Sequence, residues 1–444
     1  MSVATASART FRSLRRHYNY RLYFSGQLVS VTGSWVQTTA QAWLIVELTH
    51  SAIALGALAL FQYLPYSALG LLGGPLVDRF NKRVTIVITQ SAFMLSAALL
   101  AVLAFAHLAE VWEVYALAVL NGTVQVVDTP ARQAFVYEMV GRSELPNAVA
   151  LNSSMFNAAR AVGPALAGVL IAGVGVAFCF ALNSASYLAV IGSLLLMRRA
   201  ELYATGGEDR DGVLRSAVQG LRWTLSTRAA WLTIALLLVI TTFAINFSVL
   251  LPALASQTLH SGPVTFGIIT ASFGVGALIG ALFSASRARP SWRLLLGGAG
   301  LFSMLLLILA PMHWVFACGA VLMLTGIAYT VYTSSSNSTV QLAAPDHLRG
   351  RAMAVYFYAF NGTAPLGGLL AGWLAEVGGT QLAFAVAGGA SLSAVAAAAL
   401  VHSRGWGGSP QAVSRDSRSG EREPAAGRVA APAPARGAAA TMVE

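Results

Sequence analysis

Three charged residues lie inside long apolar segments of the sequence, where a charge is costly. Asp128 and Arg132 are four residues apart in VVDTPARQAF, which places both on one face of a helix. Arg160 lies in a second apolar segment, NAARAVGPALAGVLI. Ionisable groups in such segments mark proton or substrate sites by default, so we predict proton coupling at Asp128, Arg132 and Arg160. A structural ion pair is the alternative for Asp128 and Arg132.

Arg160 is predicted to lie deeper than Asp128. At about 1.5 Å per helical residue, Arg160 is roughly 20 Å from the start of its segment near Asn147, and Asp128 is about 12 Å from its own end. An arginine side chain spans the difference. We therefore expect Arg160 to face a central cavity, where it binds an anionic substrate group or favours the charged form of Asp128 until substrate competes. A structural arginine bonded to backbone carbonyls is the alternative.

The segments that carry these charges belong to a chain built for a membrane. Of its 444 residues, 56% are hydrophobic and 10% are charged, against about 25% charged in soluble domains. The apolar runs are long enough to cross a bilayer, and they are continuous rather than alternating, which indicates helices and excludes a barrel. The net charge of +11 resides mainly in loops and tails, so it indicates membrane orientation rather than nucleic acid.

We predict an all-α polytopic membrane protein with twelve transmembrane helices in two pseudo-symmetric six-helix bundles. Loops that carry arginine alternate along the chain with loops that carry neither lysine nor arginine. This alternation places both termini in the cytoplasm and the chain in the plasma (inner) membrane. The predicted spans are 22–47, 52–77, 84–106, 112–136, 147–172, 176–197, 229–254, 264–286, 292–310, 313–342, 351–376 and 380–402. They divide the chain into a cytoplasmic segment 1–21, a bundle 22–197, a central loop 198–228 with a surface helix, a bundle 229–402, and a disordered tail 403–444.

The two predicted bundles resemble each other. LNGTVQVVDTPARQAFV, from Leu120, aligns with LTGIAYTVYTSSSNSTV, from Leu324, and Pro164 aligns with Pro365. Internal repeats of this kind are typical of secondary transporters, whose substrate site lies near the midplane between the halves.

The loop after the second span, GGPLVDRFNKR, supplies a motif. Its residues Gly74, Asp78, Arg79, Lys82 and Arg83 resemble the G-x-L-x-D-R-x-G-R-[KR] signature of the major facilitator superfamily, with Asn81 in place of a glycine. The glycine permits close helix contact. The aspartate can pair with arginine or with the N-terminus of a helix in the other half, as a conformational latch. A turn that carries only orienting charges is the alternative. The equivalent loop of the second half has Ser284 in place of the aspartate.

The fifth span narrows the resemblance. GPALAG, with Gly163, Pro164 and Gly168, is similar to the exporter motif of that superfamily, and we expect the span to pack closely and bend there. Longer stretches resemble the drug and siderophore exporters, including enterobactin-exporter-like and macrolide-efflux-like proteins. The resemblance implies a proton-coupled antiporter that exports a small amphipathic molecule by alternating access.

A polar stripe on the first span and two asparagines in the second half are candidates for lining the cavity. A polar face must contact protein or a water-filled cavity rather than lipid, so hydrogen bonds between helices are the alternative. The candidates are Gln27, Ser34, Gln37, Gln41, Asn246 and Asn361.

The energy source is predicted to be an ion gradient. The only lysine, Lys82, follows Asn81, so the chain has no phosphate-binding G-x-x-x-x-G-K-[ST] loop.

We expect a monomer that acts on a small-molecule substrate and protons in the lipid bilayer, with no cofactor, metal, nucleic acid or enzymatic activity. An uptake symporter on the same fold and a non-transporting membrane receptor are the alternatives.

Overall fold

The computed structural model describes residues 11–203, 213–286, 291–345 and 348–403, and these residues form helices without a strand. The first half contains α1 (Arg12–Arg16), α2 (Tyr18–Thr49), α3 (Ala52–Asp78), α4 (Lys82–Phe105), α5 (Val111–Val174) and α6 (Val176–Leu195). After α7 (Val213–Ser226), the second half contains α8 (Arg228–Phe243), α9 (Phe247–Ala253), α10 (Pro263–Ala285), α11 (Trp292–Leu309), α12 (Val315–Ala343), α13 (Arg349–Gly362) and α14 (Ala364–Ser403). The predicted tail beyond residue 403 lies outside the described residues.

Within the described residues, nine helical runs are long and apolar enough to cross a membrane. Two of them, Val111–Val174 and Arg349–Ser403, are long enough for two crossings each, and α2 is a further helix of 32 residues. The polar stripe of α2 lowers its hydropathy, which explains why composition alone does not select it. The architecture is therefore consistent with twelve crossings.

Glycines turn the chain between consecutive crossings, Gly141 in α5 and the adjacent Gly378 and Gly379 in α14. Gly141 in α5 has φ +69° and Gly379 in α14 has φ +71°, a left-handed conformation that glycine adopts without a steric penalty. Apart from Gly141, α5 is continuous, so the loop predicted for residues 137–146 is much shorter than expected. In contrast, α5 keeps helical dihedral angles at Pro164. The corresponding Pro365 follows the break between α13 and α14.

The loops divide between two ends of the bundle. The arginine end contains α1, Gly141, α7 and the α3–α4 connection. The base-free end, whose connections lack lysine and arginine, contains His50, Gly175, Gly262 and Gly379. The described residues up to Ala399, which include nearly all of the membrane crossings, belong to one compact unit.

The surface helix predicted in the central loop is α7. The face of α7 that carries Gly220 packs against α13 of the second half, because a Cβ at Gly220 would lie 2.6 Å from the Arg351 carbonyl oxygen. Its apolar stripe, with Val218, Leu221 and Leu225, is exposed. That stripe suits contact with lipid.

Each half buries its own core. In the first half, Tyr20, Phe135, Met139 and Leu194 pack together near the arginine end. In the second half, α9 to α12 bring together the rings of Phe247, Phe273, Phe302 and Tyr329, with centroid separations of 4.4 to 6.1 Å.

Candidate functional site

Asp128 lies in a buried polar pocket of the first half. The side chain is 3% exposed, and its Oδ2 atom lies 2.6 Å from Nε of Arg132, so the predicted i, i+4 contact is present. Its Oδ1 atom accepts hydrogen bonds from Thr89 Oγ1 (2.6 Å) and Gln90 Nε2 (3.0 Å). The carboxylate is therefore held by three donors from α4 and α5.

This arrangement can respond to a single proton. Three donors suit a charged carboxylate, whereas a protonated carboxyl group would release the charge-assisted bond to Arg132. Burial strengthens each of these interactions because the surroundings have a low dielectric constant. Thr89 and Gln90 could not be selected from sequence, since their contact with Asp128 depends on how α4 packs against α5.

Arg160 has different surroundings. Its guanidinium carbon lies 5.6 Å from the ring centroids of both Phe273 and Tyr329, which belong to the second half. The Nε atom is buried and has no hydrogen-bond partner. Among the described residues, the arginine has neither the expected contact with Asp128 nor the alternative bonds to backbone carbonyls. Arg160 therefore contacts the second half through two aromatic rings, without an ion pair or a hydrogen bond of its side chain among the described residues.

Glycines bring the two halves into backbone contact on the side of Arg160 nearer the base-free end. A Cβ at Gly168 would lie 2.7 Å from the Pro263 carbonyl oxygen and 3.0 Å from Cα of Gly267. One at Gly274 would lie 2.7 Å from the Arg160 carbonyl oxygen. We use the name glycine seam for two contacts between the halves. The first joins α5 to α10 at Gly168, Gly267 and Gly274, and the second joins α3 to α14. The predicted close packing of the exporter-like motif is thus present at Gly168, while Gly163 packs on Trp35 within the first half.

The second part of the glycine seam joins α3 to α14. A Cβ at Gly56 would lie 2.7 Å from the Gly368 carbonyl oxygen, and one at Gly372 would lie 2.6 Å from the Ala52 carbonyl oxygen. Both contacts lie near the base-free end, so the halves are closed against each other there.

A carboxylate from the second half caps a helix of the first half at the same end. Oε2 of Glu376 accepts hydrogen bonds from Ala52 N (2.7 Å), Ser51 Oγ (3.0 Å) and Ile53 N (3.3 Å). These groups form the N-terminus of α3, where unpaired N–H groups and the helix dipole favour a negative charge. Sequence reasoning missed this contact, because its signal is only an acidic residue near a predicted span end.

The loop motif at the arginine end, unlike the Glu376 cap, does not join the two halves among the described residues. Asp78 is exposed and forms no ion pair or hydrogen bond with the described residues, and Arg79 is exposed. Arg83 donates from Nη2 to the Leu195 carbonyl oxygen at 3.2 Å, and Lys82 is half-buried at the start of α4. The predicted latch is thus unengaged within the described part of the chain, which leaves out Arg287 and Arg289.

The close helix contact expected at Gly74 is wrong. A Cβ at Gly74 would meet no atom within 4 Å, whereas one at Gly73 would collide with the Val126 carbonyl oxygen. Adjacent helical residues point about 100° apart, so the motif alone does not determine which glycine faces α5.

The polar stripe of α2 has several partners within the first half. Gln27 donates to the Tyr23 hydroxyl at 2.9 Å, and Gln37 Oε1 accepts from Asn183 Nδ2 at 2.6 Å. The Ser34 hydroxyl lies 3.4 Å from that of Tyr187, and Gln41 is buried. The bonds of Ser34 and Gln37 to α6 correspond to the alternative of helix–helix contact, whereas Gln27 bonds within α2 itself.

The two asparagines of the second half bond to their own helices. Asn246 lies at the break between α8 and α9, where it donates to the Thr242 carbonyl oxygen at 2.8 Å, and Asn361 donates to the Phe357 carbonyl oxygen at 3.0 Å. Among residues 11–203, 213–286, 291–345 and 348–403, no cluster of three or more histidine, cysteine, aspartate or glutamate side chains is placed to hold a metal ion.

Comparison with known proteins accounts for nearly the whole chain. Residues 8–424 match the family described as "Transmembrane secretion effector", abbreviated MFS_3. The staphyloferrin A transporter of Staphylococcus aureus is 23% identical over 83% of this chain and 92% of its own length. The multidrug efflux pump Tap of Mycolicibacterium fortuitum is 28% identical over 80% of this chain and 89% of its own length.

Solved structures agree on the fold. A bacterial homologue of the human lysosomal transporter Spinster, in an inward-facing and unoccupied conformation, aligns with a TM-score of 0.65. The alignment covers 87% of this chain and 95% of that one at 11% identity. This similarity establishes the fold alone.

Proposed function

Because the chain belongs to the major facilitator superfamily, in its family of transmembrane secretion effectors, we propose that it exports small amphipathic molecules across the cell membrane in exchange for protons. The observation that carries this proposal is the buried Asp128, held by Arg132, Thr89 and Gln90 inside a bundle of membrane-spanning helices. A relative named as a multidrug efflux pump supports export as the direction, and one named as a staphyloferrin A transporter supports a small-molecule substrate.

The proton step takes place at Asp128. Protonation neutralises the carboxylate and weakens its bond to Arg132, which changes the attraction between α4 and α5. Loss of the proton restores the three-donor arrangement. If the substrate and the proton bind different conformations of the protein, the protein exchanges one for the other across the membrane. The two need no direct contact with each other.

Alternating access follows from the two ends of the bundle. We assign the arginine end to the cytoplasm on the positive-inside rule, which makes the closed base-free end external. The closed glycine seam and the Glu376 cap then correspond to a state whose cavity opens to the cytoplasm. In the opposite state the seam separates, and Asp78 forms the latch that the loop motif predicts.

Transport in inside-out vesicles tests this proposal. Protein-containing vesicles with an acidic interior are given ethidium, 1-pyrenebutanol or 1-pyrenebutyrate from outside, and accumulation is followed by fluorescence. We expect accumulation of at least one probe that collapses with the pH gradient. We also expect Asp128→Asn to reduce gradient-driven accumulation by at least tenfold, while exchange without a gradient continues.

Direction separates the proposal from its main alternative. An uptake symporter on this fold would move the probe out of such vesicles together with protons. Accumulation that persists without a pH gradient, or an Asp128→Asn variant that still couples to it, would contradict proton antiport at this carboxylate.

A further inference from the structure

Arg160 has a cationic group without an anion. It is not part of an ion pair or hydrogen bond among the described residues, whereas the other arginine in this region of the membrane, Arg132, is paired with Asp128. Membrane-embedded arginines nearly always pair with an acidic group or a carbonyl, because an uncompensated charge is expensive there. The missing partner is therefore the feature to explain.

The two ends of the guanidinium differ in their surroundings. Nε is buried without a partner, whereas neither terminal nitrogen is among the buried atoms that lack one. Since these nitrogens also form no hydrogen bond, they reach accessible space. The rings of Phe273 and Tyr329 in the second half each lie 5.6 Å from the guanidinium carbon, within the range of a cation–π contact. The terminal nitrogens thus lie beside two aromatic rings with their donors unused.

The guanidinium fork of Arg160 lies next to the glycine seam. The glycine seam begins at Arg160 itself, because a Cβ at Gly274 would press on the Arg160 carbonyl oxygen. Helical side chains lean toward the N-terminus of their helix. In the stretch of α5 after Gly141, which starts at the arginine end, that direction leads from the closed seam toward the arginine end. The fork therefore faces away from the seam, on the side where the proposed cavity opens.

We infer that Arg160 binds the anionic group of the exported molecule, so that the substrates include amphipathic compounds with a carboxylate beside an apolar, preferably aromatic, body. A planar guanidinium presents two parallel N–H donors that match the two oxygens of a carboxylate. Phe273 and Tyr329 supply the apolar surface next to it. The inference rests on the proposed transport function and names one chemical class of its substrate.

Equilibrium binding tests the inference with a matched pair of probes. The affinity of 1-pyrenebutyrate is compared with that of the uncharged 1-pyrenebutanol by fluorescence anisotropy on the full chain in lipid nanodiscs. We expect the wild type to prefer the carboxylate by roughly tenfold to a hundredfold, as for a hydrogen bond to a charged group. Arg160→Gln removes this preference and leaves 1-pyrenebutanol affinity within about twofold of the wild type.

Two further variants separate substrate binding from a structural role. Arg160→Lys keeps the charge but loses the bidentate fork, so we expect an intermediate preference. Val162→Ala, at an exposed position on the same helix outside the proposed site, is the control and should preserve the preference. If Arg160→Gln weakens both probes equally, or if the wild type binds both equally, the inference is overturned.

The binding and transport results distinguish the two proposals. Gradient-driven export of ethidium without any carboxylate preference would refute the anion site and leave the antiporter intact. An Arg160-dependent preference without gradient-driven transport of any probe would do the reverse.

Discussion

The two ends of the molecule hold their acidic groups in opposite ways. At the base-free end, Glu376 accepts three hydrogen bonds from the N-terminus of α3 in the other half. At the arginine end, Asp78 is exposed and has no partner among the described residues. The closed end is thus held by a carboxylate outside any recognised motif, while the motif's own aspartate is free. The comparison supports the proposal that the motif loop forms its latch in the other conformation.

The two ends also differ in how their contacts are built. The glycine seam brings backbones together at Gly168 and Gly267, which leaves no space for a side chain. At the arginine end, ion pairs between long side chains also contribute, as when Arg12 and Arg16 reach Glu144 at 2.8 and 3.0 Å. Backbone contacts cannot adapt to added atoms, whereas long side chains can. Substitutions at the seam should therefore have the largest effects.

Gly168→Leu is expected to have the largest effect. The side chain has no space between α5 and α10, and overpacking costs about 1–3 kcal/mol, so the seam should open and export should fall by tenfold or more. Efflux of the best probe from cells, at matched expression, measures the change. Gly173→Leu on the same helix is the control, because a Cβ there meets nothing within 4 Å. Equal losses for both variants would show that the seam is not responsible.

Glu376→Gln should have an intermediate effect. The amide still accepts hydrogen bonds but loses the charge that favours the helix N-terminus, a term of about 0.3–1 kcal/mol. Hydrogen–deuterium exchange of the amides at the start of α3 should accelerate by roughly twofold to fivefold. Glu110→Gln is the matched control, because Glu110 caps α5 at the same end within one half. If only the control variant accelerated exchange in α3, the cap would have no role in closure.

Glu144→Gln should have the smallest effect on transport and a pH-dependent effect on stability. Burial raises the pKa of the Glu144 carboxyl, but Arg12 and Arg16 outweigh it and hold the pKa below its usual value. The stabilisation is therefore fully present above the unfolded-state pKa of about 4.3 and is lost as the pH falls through the lower folded-state pKa.

Thermal unfolding in detergent measures this dependence. We expect Glu144→Gln to lower the Tm by a few degrees at pH 7, for a loss of about 1 kcal/mol with partly exposed arginines. The difference from the wild type should shrink toward pH 3. An equal difference at both pH values would contradict the assignment to the ionised carboxylate.

How much of this could be predicted from sequence depends on whether a feature is local. The crossings follow from runs of apolar residues, and the contact between Asp128 and Arg132 follows from helical spacing, so both were predicted. The alternation of arginine between loops, which fixes the proposed orientation, is also a local property.

Features that depend on how helices face one another were not predictable. Thr89 reaches Asp128 only because α4 packs on α5, and Phe273 reaches Arg160 only because the halves meet there. The choice of Gly73 over Gly74 depends on the rotation of α3 about its axis, which a motif does not record. The same uncertainty applies to Gln37, whose polar face fits a cavity or the neighbouring α6 equally well.

The central claim is that the two ends open and close in opposition. Double electron–electron resonance measures it with one spin-label pair per end, Leu108 with Phe316 at the base-free end and Phe80 with Leu342 at the arginine end. All four positions are exposed, and replacing the buried Cys179 and Cys318 with alanine removes competing thiols. Between pH 8 and pH 5, and again on Asp128→Asn, one pair should lengthen while the other shortens. Distances that stay fixed at both ends, or that change in the same direction, would contradict alternating access governed by Asp128.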